Sequence, residues 1–314
     1  MPQPQKAVSH NAATLRPTTE ADLPAISELT EAVFGRRRSP EVLRWLLLSA
    51  QPGLDLQSEV AINDDDGRIV GHVGSLKCLY QWGEHIAVGA HPMLWMLHPD
   101  ARGRIGIQLG HTGTRSGDFS LVVGGTPNSK PIMERRRFVR TATTTELRLS
   151  TDAAGAADAG DLELRPFEPA PTRLLPATGP VVSLPTPARL NWLAACPTLE
   201  TRLFSVYRHG KNLGPMLLYV NRRGDEPSGR IVHLPRADGD WGAFVRLALT
   251  ELASAGCKSA SILATCDNQL ETVAALGGEP FYERVIYFRN QSGLPEASRW
   301  HLSYLEGDLA YRRV

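Results

Sequence analysis

Apolar residues along the first part of the chain recur first at helical and then at strand spacing. A capping-box signature at Thr19 and Asp22 precedes an apolar stripe that has the 3.6-residue period of a helix. The stripe consists of Leu23, Ile26, Leu29, Val33 and Phe34. The pattern therefore predicts a helix here, and a short strand over 13–17 before it.

The chain continues with a second predicted helix, over about 40–49, and then with a run of strands. The acidic turn at 64–67 separates two apolar runs, which is the signal of a β-hairpin. Another strand is predicted over about 86–97 and one more over 118–126. A helix is expected between them, because a loop rich in arginine and glycine ends in a new apolar stripe.

The second part of the chain shows a similar alternation near its end. A helix is predicted from Asp240, a candidate cap, to Gly256, a candidate C-terminal stop. A strand over 259–265, a capped helix that ends at Gly277 and a strand over 281–289 follow it. The order helix, strand, helix, strand repeats the order predicted for the end of the first part.

Two segments of the first part recur in the second part at nearly equal offsets. Leu15-Arg16-Pro17 recurs as Leu164-Arg165-Pro166, and SPEVLRWLLLSAQP at 39–52 recurs as TPARLNWLAACP at 186–197. A run of small residues and then seven prolines, from Pro166 to Pro187, lie around this boundary. We interpret the chain as an internal duplication whose copies are joined by an extended connection.

Composition limits the classes of function. The 314 residues are 42% hydrophobic and 21% charged, as in a globular protein with a full core, and the net charge of +1 argues against binding to nucleic acid or anionic membranes. The N-terminal segment lacks the apolar core of a signal peptide, and no run approaches the ~18 apolar residues of a membrane span. The four cysteines lack metal-ligand spacing, so we expect reduced thiols, no metal site and a cytoplasmic location.

Four segments of the first part resemble the GNAT superfamily of acyl-CoA-dependent N-acyltransferases. They are LRPTTEADLPAISELTEAVF, GRIVGHVGSL, MLHPDARGRIGIQL and VVGGTPNSKPIMERRRFVR. The resemblance implies a mixed α/β fold of two GNAT-like domains, each with a mostly antiparallel mixed sheet flanked by helices. The implied divisions are a disordered tail over 1–12, an acyl-CoA-binding domain over 13–150, a linker with the first strand of the second half over 151–185, and a second domain without a phosphate loop over 186–314.

The stretch DARGRIGIQLG at 100–110 is similar to the pyrophosphate loop of this family, although its glycine is displaced by one position. Backbone N–H groups at a helix start, the helix dipole and arginine side chains all favour a phosphate anion, and glycine lets the backbone approach it. The resemblance implies acetyl-CoA or another acyl-CoA as cofactor. The expected contacts are Leu97, His98, Arg102, Gly103, Arg104, Ile105, Gly106, Ile107 and Asn128. A basic strand-to-helix turn without a ligand is the alternative.

The resemblance also places the catalytic groups. The family often carries a carboxylate base eleven residues before the loop, and that position here is His91, whose ordinary pKa of about 6.5 suits a base. Strand alternation would put His91 on one face with Met93, Trp95 and Leu97. A structural histidine at the start of a strand, followed by Pro92, is the alternative. The family's general-acid tyrosine and the glycine that follows it correspond to Met133 and Arg137. The usual acid is therefore missing, and water or a tyrosine from elsewhere would have to take its place.

The function that the resemblance implies is transfer of an acyl group, such as acetyl, from CoA to the primary amine of a small molecule such as an amino sugar or amino acid. The residues expected on the acceptor side are Tyr80, Trp82, Glu84, Trp95 and Tyr282; for the aromatic turn an interface between the two domains is the alternative. Two other functions stay open: an aminoacyl-tRNA-dependent transferase of the cell-wall type, and a non-catalytic CoA-binding protein. The expected partners are a small-molecule amine, with no nucleic acid and no membrane.

Overall fold

The computed structural model describes residues 13–49, 53, 55–101, 104–115, 117–125, 129–155, 160–169, 179–222, 226–235, 241–293 and 300–306. Its helices are α1 (Leu23–Phe34), α2 (Pro40–Leu48), α3 (Ile105–Thr114), α4 (Lys130–Arg135), α5 (Pro187–Ala194), α6 (Trp241–Ser254) and α7 (Asp267–Ala275). Its strands are β1 (Ala13–Pro17), β2 (Leu56–Asn63), β3 (Ile69–Trp82), β4 (His85–Leu97), β5 (Phe119–Val123), β6 (Val139–Ser150), β7 (Leu162–Pro166), β8 (Val181–Leu184), β9 (Glu200–Arg208), β10 (Lys211–Asn221), β11 (Ser228–His233), β12 (Ser259–Ala264), β13 (Glu279–Asn290) and β14 (Trp300–His301).

The strands of both halves join in a single mixed sheet. Its order is β1-β2-β3-β4-β5-β13-β6-β12-β11-β10-β9-β7, with β8 paired to β3 and β14 paired to β8. Most neighbours are antiparallel; the pairs β4–β5, β11–β12 and β14–β8 are parallel. The mixed, mostly antiparallel architecture predicted from the sequence is confirmed.

The two halves exchange strands at the centre of this sheet. The late strand β13 pairs with β5 of the first half, while β6 of the first half pairs with β12 of the second. The two exchanged strands also pair with each other. The chain divisions near residues 150 and 185 therefore stay a prediction about the sequence, because hydrogen bonding continues across them.

The duplicated helices pack against each other through their shared tryptophans. The rings of Trp45 on α2 and Trp192 on α5 stack with centroids 4.8 Å apart. The Trp45 indole nitrogen donates to the Trp192 carbonyl at 2.8 Å, and the Trp192 nitrogen donates to the Trp45 carbonyl at 3.0 Å. Ser39 and Thr186 cap the two helices in the same way, each accepting from the backbone N–H three residues later. These reciprocal contacts give the sequence duplication a structural counterpart.

Helix α3 approaches the sheet closely because its inward face carries glycines. A Cβ added at Gly110 would come within 2.4 Å of the Trp95 ring, and one at Gly113 within 2.6 Å of Val73 Cγ2. Gly106, one turn earlier, faces Leu97 and Ile132 at van der Waals distance. The displaced glycine of the loop motif therefore lies inside the first turn of α3, where it packs against the end of β4 and against α4.

Three further features of the described residues concern thiols, membrane-spanning helices and metal ligands. Cys78, Cys196, Cys257 and Cys266 are free thiols. No helix in the described part of the chain is long and apolar enough to cross a membrane. Among the described residues, no group of three or more His, Cys, Asp or Glu side chains is placed to hold a metal ion.

Candidate active-site cleft

A cleft opens between the parallel strands β4 and β5 of the first half. These strands pair only at Gly89–Phe119 and Ala90–Ser120 and then diverge. The space between them is a cleft of about 430 Å³. Pro92, Leu94 and Trp95 line it from β4, while Val122 and Val123 line it from β5.

The other walls of the cleft come from distant parts of the chain. Gly125, Ser129 and Met133 line the side next to α4. The rest of the lining comes from three residues that end or follow α1 and from two residues of β13. These five are Phe34, Arg36, Arg38, Tyr282 and Arg284. Both halves thus contribute to one cleft, because strand exchange brings β13 next to β5.

A β-bulge in β4 shapes the cleft. Between the pairs Gly74–Met93 and His72–Met96, two residues of β4 oppose one residue of β3. The first of these, Leu94, has a φ of 43°, in the left-handed region that a branched residue rarely adopts. A bulge redirects the side chains that follow it, so Leu94 and Trp95 both reach the cleft lining.

The bulge overturns the prediction that His91, Met93, Trp95 and Leu97 share one face of the strand. Trp95 and Leu97 pack toward α3, against Gly110 and Gly106. Met93 instead lies in the core formed with α1, α2 and α5. One extra residue reverses the alternation of a strand, and Pro92, two residues before Leu94, is the local signal that favours a bulge here.

A buried chain of hydrogen bonds holds the bulge in place. His72 Nδ1 lies 2.9 Å from the Leu94 carbonyl oxygen, and His72 Nε2 lies 2.9 Å from Ser58 Oγ. Because a carbonyl only accepts, Nδ1 carries the proton and Nε2 accepts from the Ser58 hydroxyl. Ser58 in turn lies 2.7 Å from Thr18 Oγ1, which then donates to it. Burial lowers the pKa of His72 to about 4, so the ring is neutral at pH 7.

His91, the predicted base, lies in the protein interior and does not line the cleft. Its Nε2 is 2.6 Å from the Tyr80 hydroxyl, and the two rings stack at 5.7 Å. Burial, with a smaller contribution from Arg189, lowers the pKa of His91 to about 3. The imidazole is therefore neutral at pH 7 and already hydrogen-bonded. Its role as the base stays a prediction.

The predicted acceptor-side residues separate into two groups. Trp95 and Tyr282 both line the cleft. They lie 187 positions apart in the sequence and belong to different halves. Tyr80 and Trp82 are buried with Phe119 and Trp300 in an aromatic cluster where the two halves meet. Glu84 is exposed on the turn between β3 and β4. The position of Tyr80 and Trp82 matches the interface alternative for this aromatic turn.

The predicted cofactor loop leads into the first turn of α3. Arg104 precedes the helix, and its carbonyl accepts from the N–H groups of Ile107 and Gln108. Ile105 is buried with Leu109 under the helix, so only its backbone can face a ligand. Leu97 lies beneath this turn and Ile107 is half-buried beside it. Arg102, Gly103 and Asn128 lie outside the described residues.

His98 lies on a different concave surface. Its side chain lines a pocket of about 370 Å³ together with Asp22 on the N-terminal side of α1 and Arg68 of the β2–β3 turn. Its Nδ1 accepts from the Asp100 backbone N–H at 3.2 Å. The structure therefore does not place His98 in the lining of the cleft between β4 and β5.

The turn after α4 keeps a glycine-like shape although arginine occupies it. Arg137 has a φ of 59°, and the Phe138 N–H donates to the Met133 carbonyl at 3.0 Å. This six-residue closure is a Schellman turn, in which the left-handed position is usually glycine. Arg137 thus adopts the conformation of the glycine that the family resemblance placed there, and Met133 at the start of the turn lines the cleft.

Cationic side chains dominate the charge of the cleft. Its described lining contains three arginines and no aspartate or glutamate. Arg284 pairs with the buried carboxylate of Glu146 on β6, where Arg284 Nε lies 3.0 Å from Oε1. Sequence reasoning missed Arg36, Arg38 and Arg284. The sequence signal that could have indicated Arg36 and Arg38 is the arginine run directly after the end of a helix, which has no acidic residue next to it.

The corresponding gap in the second half holds the C-terminal part of the chain. Leu302 and Ser303 line the space between β11 and β12. The Leu302 N–H donates to Thr265 Oγ1 at 3.1 Å, and that hydroxyl donates to the Trp300 carbonyl at 2.9 Å. Gln269 of α7 hydrogen-bonds the ring of His301. The chain itself therefore occupies much of the place that is a cleft in the first half.

The fold is that of the GCN5-related N-acetyltransferases, arranged in tandem. A GCN5-related N-acetyltransferase from Anabaena variabilis is similar with a TM-score of 0.64 and 12% identity, over 89% of this chain and 73% of that one. One from Kribbella flavida gives 0.59 and 12%, over 92% and 73%. A tandem GNAT protein from the clavulanic acid biosynthesis pathway gives 0.55 and 13%, over 91% and 100%.

No protein-family model matches the sequence, and a search of curated proteins also found no match. The similarity to solved structures at this low identity concerns the fold. It confirms the tandem GNAT architecture that the sequence motifs and the internal duplication predicted.

Proposed function

We propose that the protein is an acyl-CoA-dependent N-acyltransferase that acts on a small-molecule amine in the cleft of its first half. The observation that carries the proposal is the cleft itself: the bulge at Leu94 and the divergence of β4 from β5 open it beside α3. Tyr282 from the second half enters the same cleft as Met133. A cleft of this volume, built at the junction of two halves, is typical of small-molecule sites.

The described residues fit an acyl-CoA. Gly125 has a φ of 126°, and a Cβ there would come within 3.0 Å of Ser129 Oγ and 3.1 Å of Met133 Cε. Bare backbone at Gly125 therefore leaves room on this side of the cleft for an extended ligand arm. Arg104 and the first turn of α3 offer backbone N–H groups and positive charge for phosphates. When bound, the thioester supplies the acyl group and leaves as the free thiol of CoA.

The reaction must move two protons. A bound ammonium first loses one proton to water. Its nitrogen loses another as it forms the amide bond and the carbon–sulfur bond breaks, while the sulfur takes one up, so that one proton is released overall. Arg36 favours loss of the first proton, because nearby positive charge lowers the pKa of a bound ammonium. We propose that the Tyr282 hydroxyl donates the proton that the sulfur takes up. The Arg284 guanidinium lies 4.4 Å above the Tyr282 ring.

Tyr282→Phe tests this assignment, with Tyr287→Phe on the same strand as the matched control. We expect release of CoA thiol from acetyl-CoA with an amine panel, and a loss of about 10-fold or more in kcat for Tyr282→Phe alone. The measurement is thiol release followed with a thiol reagent. Equal rates for both variants would remove Tyr282 from the mechanism, and the proton on the sulfur would then come from water.

A non-catalytic CoA-binding protein is the second candidate. The observation that favours it is Met133, which has no proton to give at the position where the resemblance expects a tyrosine. Wild-type protein that binds CoA in calorimetry but releases no thiol with any amine of the panel would support this candidate over the first.

A further inference from the structure

One arginine of the cleft, Arg38, has no acidic partner among the described residues. Arg38, between α1 and α2, is only 7% exposed and lines the cleft beside Leu94 and Trp95. Its backbone carbonyl accepts from Ser27 Oγ at 2.7 Å, which fixes the backbone at this point. Within the described part of the chain, its guanidinium makes no ion pair and no hydrogen bond.

This arrangement differs from that of the other buried arginine of the cleft. Arg284 is compensated by Glu146. The neighbour Arg37 is largely exposed and pairs with Glu31 at 2.6 Å. Arginine presents a planar fork of donors that matches a carboxylate. A bound anion would supply the pairing that the described residues do not.

On the basis of the proposed function, we propose that Arg38 recognises a carboxylate on the amine acceptor, so that the acceptor is an amino acid or a related amino carboxylate. Arg38 and Arg36 line the cleft from the segment between α1 and α2, whereas Ser129 and Met133 line it from the α4 side. Under the proposed function, the acyl-CoA arm lies on the α4 side, where bare backbone at Gly125 faces Ser129 and Met133. The carboxylate therefore belongs to the acceptor and not to the acyl group.

The first experiment compares α-amino acids with their carboxamides as acceptors, using acetyl-CoA and the full chain. We expect kcat/KM to be about 10- to 100-fold higher for the acids, the range for a buried hydrogen bond to a charged group. The carboxamides are the weaker bases and carry more free amine at neutral pH, so amine basicity cannot produce this preference. Equal values for acids and carboxamides would overturn the inference.

The variants are Arg38→Gln and Arg38→Lys, with Arg37→Gln as the matched control. Arg38→Gln should remove the preference by raising KM for the acids only, Arg38→Lys should keep part of it, and Arg37→Gln should keep all of it. Since the Arg38 side chain has no described protein partner, the melting temperature of the two Arg38 variants should equal or exceed that of the wild-type protein. A fall in kcat/KM that is equal for acids and carboxamides would contradict the inference.

Two further experiments test whether the anion lies on the acyl group and whether amino acids bind without turnover. Succinyl-CoA and butyryl-CoA are compared as donors; an Arg38-dependent preference for succinyl-CoA would overturn the inference, because the anion would then lie on the acyl group. If the wild-type protein releases no thiol with any amine, the proposed function fails. Binding of amino acids, measured by ligand-observed NMR, then decides the inference alone: Arg38-dependent binding supports it, and binding unchanged in Arg38→Gln overturns it.

Discussion

The gap between the two parallel strands is an open cleft in the first half, whereas the chain itself fills much of it in the second half. In the first half, β4 and β5 pair at two positions and then enclose about 430 Å³. In the second half, β11 and β12 stay paired at four positions, and the space beside them, about 20 Å³, is lined by Leu302 and Ser303. A duplicated fold thus keeps one gap for a ligand and uses the other for its own chain.

The second half still contributes to the site of the first. Its strand β13 carries Tyr282 and Arg284 into the cleft, and Glu146 on β6 holds Arg284 there. The second half therefore contributes residues to the ligand site although its own gap is filled. Strand exchange makes it one wall of the remaining site.

The largest test of this relation is to separate the halves. A chain that ends at Gly155 keeps β1 to β6 but loses β13, which lies between β5 and β6 and pairs with both. We expect no cooperative unfolding transition, because two central strands lose their partner and expose apolar surface. Circular dichroism and gel filtration are the measurements. Co-expression with the remaining residues should restore a folded protein; a stable, monomeric first half would contradict the shared sheet.

The next test concerns the symmetric tryptophan contact. Trp45→Ala and Trp192→Ala should each lower the free energy of unfolding by about 3–5 kcal/mol, because each removes a buried indole and its hydrogen bond. The double variant should cost less than the sum, by about 1–3 kcal/mol, since the first substitution already breaks the stack. Urea unfolding of all four proteins gives the coupling. Additive losses would show that the two helices do not stabilise each other.

Some of this architecture could be predicted from the sequence and some could not. The capping box at Thr19 and Asp22 forms as expected, with both of its hydrogen bonds present. The duplicated tryptophans predicted a relation between the halves because the spacing around them is specific. The exchange of β13 was missed because its strand partners lie 131 to 171 residues away and leave no local signature. The bulge at Leu94 was missed although Pro92, two residues earlier, favours one.

The same limit applies to the candidate site. Trp95 and Tyr282 were expected on the acceptor side, and both line the cleft. The resemblance predicted His91 as the base from its distance to the loop, and the structure places His91 in the interior with Tyr80. Arg38 was missed because burial without a partner is a property of tertiary packing and not of the arginine run itself.

Acid should weaken the first half through its buried histidines. The folded-state pKa of His72 is about 4 and that of His91 about 3, both below the ordinary value of 6.5. Protonation therefore favours the unfolded chain, so stability is complete above pH 6.5 and falls as the pH drops toward 4, by roughly 1 kcal/mol per unit for each histidine. Urea unfolding at pH 7.5 and 5.0 measures the slope. His72→Gln should flatten it by about half; an unchanged slope would contradict the burial argument.

The smallest test compares equivalent turns in the two halves. Arg137 after α4 and Gly277 after α7 both have positive φ, at 59° and 77°, and both turns close with an N–H···O bond from the next residue. Arg137→Gly should raise the free energy of unfolding by roughly 0.5–1 kcal/mol, and Gly277→Ala should lower it by a similar amount. Thermal unfolding measures both. If Arg137→Gly destabilises the protein, the arginine side chain stabilises its turn by more than the strain costs.

The most direct test of the central claim is the stoichiometry of CoA binding by the full chain, measured by isothermal titration calorimetry. Val122→Trp fills the cleft from β5, and Val139→Trp, at an exposed position on β6, is the matched control. We predict one CoA per chain for the wild type and for Val139→Trp, and no binding for a folded Val122→Trp variant. Two CoA molecules per chain, or full binding by Val122→Trp, would contradict the assignment of the ligand to the first half alone.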